Sequence, residues 1–463
     1  MINDNIKQVI DGGYCIGCGA CAALPNSLFV MEINQYGQLM AVDRGDLSNE
    51  TFSTNLDVIC PFSNKAPDEN TIARALFGGV IPYDEYAGYY QDIYAGYVIE
   101  DDYRKNGSSG GSVSWLAAEL IQLGLVDGII HVKSLENNPS RLFGYAISTS
   151  VEQARQGAKS KYYPIEMSEV IKLVREQPGR YAFVGLPCFV KAARLLTRND
   201  PVLAERIVFF IGLVCGHLKS TKFAEMLAWQ CGIAPEKLDY IDFRVKLPEY
   251  PANKYGIRVR SGSVDYSMTQ PVDNLFGSSW GLGFFRYKAC DYCDDVVAET
   301  ADVTIGDAWL SRYIKDSAGT NLIIVRNPIL SEVIGDAVRT SRLKLDELSV
   351  SDVYHSQAGG FRHRRDGLGY RLYLADSEHI WRPTKRVQPH DGKRFGRRWR
   401  QKQRLRVQMA EQSHLAFHEA AIQGDFDVFK RQMQPLLDAY LKVARPTLGQ
   451  RISYVLKKLK LRP

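Results

Sequence analysis

The residues best suited to chemistry in this 463-residue sequence are its nine cysteines, which are unevenly spaced. Cys15, Cys18 and Cys21 form a C-x-x-C-x-x-C run among small residues, and Cys60 precedes a proline further along. Three thiolates at this spacing suit three corners of a cubane, and a distant Cys-Pro can supply the fourth. Tetrahedral zinc more often uses two pairs than a triple. We therefore expect this first cysteine set to hold a [4Fe–4S] cluster, in preference to zinc or a purely structural role.

Four further cysteines form a looser second cysteine set. Cys290 and Cys293 are a C-x-x-C pair, whereas Cys188 follows one predicted strand in GLPCF and Cys215 ends another in LVCGH. Strand ends of open α/β sheets gather on one edge, so these two cysteines can meet the pair. We expect a second cluster here, with zinc or simple burial of small thiols as alternatives. Cys231, in a helical pattern, is expected to be a core residue.

Three short segments have the composition of a phosphate or nucleotide site. GSSGGSV, at 107–113, stands before an apolar helix, where glycines let backbone N–H groups approach a phosphate near a positive helix end. GAKSKYYP, at 157–164, offers two lysines, and IGDAW, at 305–309, places a carboxylate after a strand. The first segment has neither GxGxxG nor P-loop spacing, which disfavours a nucleoside triphosphatase. An ordinary turn, a solvated loop and a helix cap are the alternatives. The candidate residues are Gly107, Ser108, Ser109, Gly110, Gly111, Ser112, Lys159, Ser160, Lys161, Tyr162 and Asp307.

The elements that must position these residues alternate between strand and helix patterns from about residue 93. Apolar runs such as DIYAGYVI, VDGIIHV, YAFVG and RIVFFIGLVC alternate with the helical patterns SGGSVSWLAAELIQLG, EMSEVIKLVREQPG and CFVKAARLL. This alternation predicts an α/β fold with a mixed or largely parallel sheet. Upstream, SLFVMEI and NQYGQ predict a hairpin. We expect a ferredoxin-like cluster module at 1–80, a cofactor-binding α/β domain at 81–350 and a basic helical region at 351–463.

Composition and charge exclude several classes of protein. With 45% hydrophobic and 24% charged residues, the chain is expected to fold as a globular protein. The longest apolar run is too short to span a membrane, and no secretory signal is present, so we expect a cytoplasmic protein.

Residues 381–463 carry 20 basic against 6 acidic residues, with Phe395, Trp399, Leu456 and Leu459 interleaved. We expect peripheral attachment to an anionic membrane, with a solvated face or a contact with another chain as alternatives. Nucleic acid is disfavoured because no reading module is present.

Several of these motifs occur in an order that resembles one protein family. GLPCF, LVCGH, FRVK, KACDYC with ADVTIGDAW, and GSSGGSV with GAKSKYYP, are similar to the family of coenzyme F(420) hydrogenase/dehydrogenase beta subunits, over about residues 10–330. The resemblance implies FAD in the α/β domain, contacted by the candidate residues above, and one or two [4Fe–4S] clusters. From its position beside Cys215, His217 is a candidate proton donor near the flavin, with a hydrogen-bonded structural histidine as the alternative. The N-terminal sequence and the basic tail further resemble members of this family that are associated with bacterial cell-surface polysaccharide synthesis.

The resulting hypothesis is an iron–sulfur, flavin-dependent oxidoreductase. Electrons would pass from ferredoxin or a similar donor through clusters to FAD and on to a small-molecule substrate, with polysaccharide synthesis as a candidate setting. Within the same class, the alternative is a subunit of a coenzyme F(420)-dependent oxidoreductase. A different class would be a non-catalytic iron–sulfur protein held on a membrane or nucleic acid by its basic tail. An oligomer is compatible with each hypothesis.

Overall fold

The computed structural model describes residues 4–45, 56–135 and 141–445. The N-terminal part contains helices α1 (Asp4–Asp11) and α2 (Glu69–Phe77) and the antiparallel hairpin of β1 (Phe29–Ile33) and β2 (Leu39–Asp43). Gly37 has a φ of 69° in the connecting turn, where its N–H donates to the Asn34 carbonyl. A left-handed residue of this kind favours glycine. The hairpin prediction is confirmed.

Thirteen further strands form the rest of the described β-structure. In chain order they are β3 (Tyr83–Asp84), β4 (Gly88–Tyr89), β5 (Asp92–Val98), β6 (Gly128–Ser134), β7 (Phe143–Ser148), β8 (Tyr181–Gly185), β9 (Ile207–Leu213), β10 (Tyr240–Val245), β11 (Gly256–Ser261), β12 (Val264–Ser267), β13 (Val303–Asp307), β14 (Asn321–Val325) and β15 (Leu343–Glu347). Eight of these make one sheet in the order β15-β5-β14-β13-β9-β8-β6-β7, and β10-β11-β12 make a smaller one.

The large sheet is mixed, and it is parallel only at its centre. Strands β6, β8, β9 and β13 pair in parallel, whereas β7, β14, β5 and β15 join through antiparallel pairs. A parallel pair requires a long crossover, usually a helix, whereas the antiparallel pairs β6–β7 and β13–β14 join strands that follow each other in the chain. The predicted α/β class with a mixed sheet is therefore confirmed.

Helices cover both faces of this sheet. In chain order, those after α2 are α3 (Tyr103–Asn106), α4 (Ser112–Gln122), α5 (Val151–Gln156), α6 (Ser168–Glu176), α7 (Pro187–Asn199), α8 (Pro201–Arg206), α9 (Thr221–Gln230), α10 (Ser311–Ile314), α11 (Pro328–Arg339), α12 (Val350–Ser356), α13 (Ala358–Arg362), α14 (Leu368–Ser377), α15 (Gly396–Gln423) and α16 (Phe426–Ala444). Phe209 packs with Trp115 of α4, whereas its neighbour Phe210 packs with Val190 of α7. Because successive strand residues point to opposite faces, two cores form.

The C-terminal helices pack onto the rest of the chain. Helices α15 and α16 form an antiparallel pair whose Met409, Phe417 and Phe429 are buried with Phe243 and Phe285 of the region around the small sheet. Such burial removes large apolar surfaces from water and holds the pair in place. No helix in the described ranges combines the length and apolarity needed to cross a bilayer.

The structure also locates the apolar residues that the sequence places in the basic tail. Leu405 is buried, and Phe395 stacks on Trp399 with ring centroids 4.2 Å apart. Leu456 and Leu459 lie outside the described residues. Leu405 therefore lies inside the protein, whereas Phe395 and Trp399 are half-buried. The membrane contact predicted from sequence stays a prediction.

Candidate cofactor site

A cavity of about 250 Å³ lies at the carboxyl-terminal edge of the large sheet. Gly185, Cys215 and Asp307, at or just after the ends of β8, β9 and β13, all line it. These strands are parallel, so their ends meet at one edge, which is where α/β proteins bind ligands. Ten of the predicted cofactor residues line the cavity, namely Gly107, Ser108, Ser109, Gly111, Ser112, Lys159, Ser160, Lys161, Tyr162 and Asp307.

The glycine-rich loop reaches the cavity through a left-handed turn before α4. Gly111 has a φ of 88°, and a Cβ there would lie 2.6 Å from the Tyr103 carbonyl carbon. The Ser112 N–H donates to the Asn321 side chain, 3.1 Å away, which anchors the helix start to β14. Gly110 does not line the cavity: its Cα faces the Gly96 carbonyl, which a Cβ would approach to 2.7 Å. Gly110 therefore serves close packing, and the prediction that it contacts a cofactor is not supported.

The lysine-containing loop is tied to the glycine-rich loop. The Ser160 N–H donates to the Ser108 hydroxyl at 2.8 Å, and Lys159 forms an ion pair with Asp242 at 3.1 Å. Lys161 donates to the carbonyls of Gly157 and Ala158. Burial lowers the pKa of Lys161 to about 7. Its amine therefore changes charge near neutral pH, within reach of any ligand in the cavity.

The opposite wall carries an ion pair and a group of rings. Arg244 donates to both carboxylate oxygens of Asp307, at 2.7 and 3.1 Å, so this aspartate is held by a bidentate pair. Tyr162 and His217 each contact Trp280, with ring centroids 4.7 and 4.5 Å away. Burial lowers the pKa of His217 well below its ordinary value. A neutral imidazole beside an indole is a weak proton donor, which disfavours the acid role suggested for His217.

The polar groups of the cavity fit an anionic ligand. Its described lining includes four basic side chains, Lys159, Lys161, Lys219 and Arg244, against the single carboxylate of Asp307. Burial lowers the pKa of Lys161 and of Lys219, and an anion bound beside them would favour their protonated forms. Three buried polar atoms on that lining have no hydrogen-bond partner among the described residues: Ser112 Oγ, His217 Nε2 and Arg244 Nε. Buried polar groups are normally paired, so a bound ligand is expected to satisfy them. A nucleotide-type flavin, with its phosphates and its ring edge, has the acceptors and donors this lining lacks.

The first cysteine set lies in the N-terminal module. Cys21 interacts electrostatically with Cys15, Cys18 and Cys60, and all four line a small cavity of about 40 Å³ among apolar side chains. Gly17 has a φ of 68°, and a Cβ there would lie 2.4 Å from the Leu39 carbonyl, so this loop wraps tightly against β2. Burial raises the pKa of Cys60 to about 11. Four thiols gathered in a dry pocket fit the ligand set of a cubane cluster.

The second cysteine set is also brought together. Cys188, at the start of α7, interacts electrostatically with Cys215, Cys290 and Cys293. The Leu218 N–H donates to the Cys290 sulfur at 3.2 Å. Backbone N–H groups directed at sulfur are typical of iron–sulfur sites. Cys215 also lines the cofactor cavity, so the second set and the cavity share a wall.

The two cysteine sets are neighbours. Cys188 interacts electrostatically with Cys18 of the first set, and Tyr145 with both. In the parts of the chain that the structure describes, no three His, Cys, Asp or Glu side chains are close enough to hold a single metal ion. A cubane places its four thiolates farther apart than one ion does, because each binds a different iron. The two sets of four cysteines fit the number of thiolate ligands that a [4Fe–4S] cluster needs, and their role as cluster ligands stays a prediction.

Several residues of the cavity were not predicted from the sequence. Arg244 belongs to the quoted FRVK segment, where an arginine in a strand next to aromatic residues could have been recognised as a binding residue. Trp280 and Asn321 carry no local pattern, because loops distant in sequence bring them to the cavity. The sequence thus indicates the loops that follow strands better than the residues that close the opposite wall.

Fold and site together define a mixed α/β protein with a cavity lined by basic side chains at its strand ends and two adjacent sets of four cysteines. Two segments match the family described as "Coenzyme F420 hydrogenase/dehydrogenase, beta subunit". Residues 93–172 match the N-terminal part of that family, and residues 179–351 match its C-terminal part. The chain belongs to this family.

Two curated relatives have named activities. The chain is 27% identical over 337 residues to the F subunit of "F(420)H(2) dehydrogenase" from Methanosarcina mazei, covering 68% of this chain and 82% of that protein. It is 23% identical over 367 residues to "Coenzyme F420-dependent sulfite reductase" of Methanocaldococcus jannaschii, covering 75% of this chain but only 50% of that protein. Both names are those of oxidoreductases.

Among solved structures, a chain of the F420-reducing [NiFe] hydrogenase complex from Methanosarcina barkeri superposes with a TM-score of 0.49 and 14% identity, covering 64% of this chain and 96% of that chain.

Proposed function

We propose that this chain is an iron–sulfur flavoprotein subunit of an oxidoreductase that exchanges electrons with the deazaflavin coenzyme F420. The observation that carries the proposal is the wall shared by the cofactor cavity and the second cysteine set. Cys215 belongs to both, and Cys188 links that set to Cys18 of the first. A flavin in the cavity and a cluster at each set would form one continuous chain of redox centres.

The residues of the cavity have separable tasks in this proposal. The first turn of α4 follows Gly111, which has no side chain to cap it. The Ser112 N–H is used by Asn321, and the N–H groups of Val113 and Ser114 are the ones proposed to bind a phosphate. Lys161 and Arg244 add positive charge, and Trp280 and Tyr162 exclude water from one side. When bound, a flavin stores two electrons and accepts a hydride, whereas a cluster passes electrons singly, so the pair joins two-electron to one-electron chemistry.

The named relatives favour the deazaflavin-linked function over reduction of a substrate in polysaccharide synthesis. Both relatives carry coenzyme F420 in their names, and the first matches this chain over most of its own length. Ferredoxin or another one-electron carrier remains the proposed partner of the first cysteine set, since that set lies in a ferredoxin-like module. FAD as the flavin, and two clusters in place of one, belong to the same proposal.

Cofactor content is the first test. Anaerobically purified protein should carry about eight irons and one FAD per chain, from two [4Fe–4S] clusters. Changing Cys290 and Cys293 to Ser should remove about four irons and leave the paramagnetic signal of the reduced first cluster intact. Cys231→Ser is the matched control, because this half-buried thiol caps α9 away from both sets, and it should change nothing. About four irons in the wild-type chain, all lost on replacing Cys15 and Cys18, would contradict the second cluster.

Reduction of the bound flavin is the second test. Adding reduced coenzyme F420 under anaerobic conditions should bleach the flavin absorbance and then reduce the clusters. Bleaching by reduced ferredoxin but not by reduced F420 would support the ferredoxin-driven reductase instead. A protein that binds no flavin at all would favour a non-catalytic iron–sulfur protein and overturn the proposal.

A further inference from the structure

The second cysteine set is covered by an arginine from the C-terminal region. Arg364 is 1% exposed and lies in the π-helical segment His363–Gly367, between α13 and α14. Its guanidinium donates to the carbonyl of Gly216, the residue after Cys215, at 2.8 Å, and it interacts electrostatically with Cys215, Cys290 and Cys293. Its buried Nε has no hydrogen-bond partner among the described residues. A π-helical turn inside a helical region often marks a functional position. This one turns a buried cation towards these thiols.

Arg364 belongs to a group of four arginines and interacts electrostatically with the second cysteine set. Arg286 forms an ion pair with Asp291 at 2.8 Å, and Arg371 donates to the Asp291 carbonyl at 2.7 Å. Arg406 accepts, through its carbonyl, a hydrogen bond from Arg286. We call these four residues the arginine group; its members are Arg286, Arg364, Arg371 and Arg406.

Arg364 has no carboxylate partner among the described residues. In contrast, Arg286 and Arg371 lie 2.8 and 3.6 Å from the carboxylate of Asp291. Isolated buried charges are strongly disfavoured unless an opposite charge lies near them. A [4Fe–4S] core with four thiolates carries a net charge of about −2 when oxidised and about −3 when reduced. Such a cluster at the second cysteine set would supply further negative charge, and reduction would add one more.

We propose that Arg364 is the counter-charge and hydrogen-bond donor of the second cluster, and that it raises the reduction potential of that cluster above the value that four cysteines alone would give. The inference rests on the proposed function, because it requires a cluster at this set. Net charge and hydrogen bonds to sulfur are among the factors that set cluster potentials. Both stabilise the more negative, reduced state, so both act in the same direction.

The inference also gives the C-terminal region a role in electron transfer. Arg364 follows the last residue of the family match, which ends at 351. The helices beyond that point therefore contribute to the redox site a residue that the matched segment lacks. We expect Arg364 to act through the cluster as a positioning residue, without contacting substrate.

The test is a redox titration of both clusters followed by electron paramagnetic resonance. Arg364→Gln removes the charge and should lower the midpoint potential of the second cluster, whereas the first cluster, measured in the same sample, should keep its potential. The second signal is identified as the one absent when Cys290 and Cys293 are both changed to Ser. Arg364→Lys keeps the charge and should lower the potential less than Arg364→Gln.

A matched control comes from the same group. Arg371 is equally buried but bonds backbone carbonyls of Asp291 and His363 instead of sulfur, so Arg371→Gln should shift the second potential less than Arg364→Gln. Loss of the second cluster in Arg364→Gln but not in Arg364→Lys would also support the counter-charge. An unchanged potential in Arg364→Gln, equal shifts in Arg371→Gln, or cluster loss from both Arg364 variants would overturn the inference. A wild-type chain without a second cluster would instead overturn the proposed function on which it rests.

Discussion

Lys161 is expected to make the proposed binding of FAD stronger at low pH than at high pH. Its side chain lines the cofactor cavity, and burial lowers its pKa to about 7 in the ligand-free protein. Asp242 raises this pKa, whereas Lys159 and Lys133 lower it. A bound pyrophosphate would bring negative charge to the amine and raise its pKa again. FAD should therefore bind more tightly when Lys161 is protonated.

The size of the effect follows from the fraction of protein that is already protonated. With a pKa of about 7, Lys161 is charged in about 90% of molecules at pH 6 and in about 10% at pH 8. The affinity for FAD should fall about tenfold between these pH values, and binding at pH 8 should take up about 0.9 proton per chain. The two cavity histidines do not contribute, because burial holds the pKa of His131 at about 3 and that of His217 well below its ordinary value.

The assay is isothermal titration of flavin-free protein with FAD at pH 6, 7 and 8, in buffers of different ionisation enthalpy, which reports affinity and proton uptake together. Lys161→Met should bind FAD with an affinity that is nearly constant over this range and should take up no proton. Equal wild-type affinities at pH 6 and pH 8 would refute the argument. A tenfold decrease that persists in Lys161→Met would assign the titration to another group.

Three further predictions concern the glycine turn, the C-terminal helices and the tail. Gly111→Val should yield protein with its iron but without FAD, because a side chain at this left-handed position meets the Tyr103 backbone. The control Gly124→Val changes a left-handed position with open space around it and should keep both iron and FAD. The visible spectrum of each purified variant reports both cofactors. Phe429→Ala should lower the free energy of unfolding by about 3–5 kcal/mol, whereas Ile422→Ala, at an exposed site on α15, should change it by less than about 0.5 kcal/mol in denaturant titrations. Deleting 446–463 should abolish flotation with anionic liposomes, and equal flotation of both forms would contradict membrane attachment.

The fold was largely predictable because its signals are local. Apolar runs such as YAFVG and RIVFFIGLVC are short and continuous, as buried central strands require, and they coincide with β8 and β9. The direction of the outer strands was not predictable in the same way. A segment such as NLIIVRNP indicates a strand, but only the path of the chain decides that β14 runs antiparallel between β5 and β13.

The same distinction applies to the site. The spacing of the cysteines and the loops after strands carry their meaning in a few consecutive residues, so ten of the eleven predicted cofactor residues line the cavity. Gly110 shows where this reasoning ends, because a glycine needed for close backbone packing and one needed for ligand approach look alike in sequence. Arg364 shows another limit, since a basic region of high positive charge gives no indication of which arginine turns inward.

Residues 351–445 cover the second cysteine set, and this has a consequence for the insertion of a cofactor. Cys215 and Cys290 are buried, and the Arg364 side chain that closes over this set is itself only 1% exposed. For the proposed second cluster, iron and sulfide would have to reach these thiols before this segment docks. We therefore expect an order of maturation in which the sheet forms first, the cluster is inserted next, and the C-terminal helices cover it last.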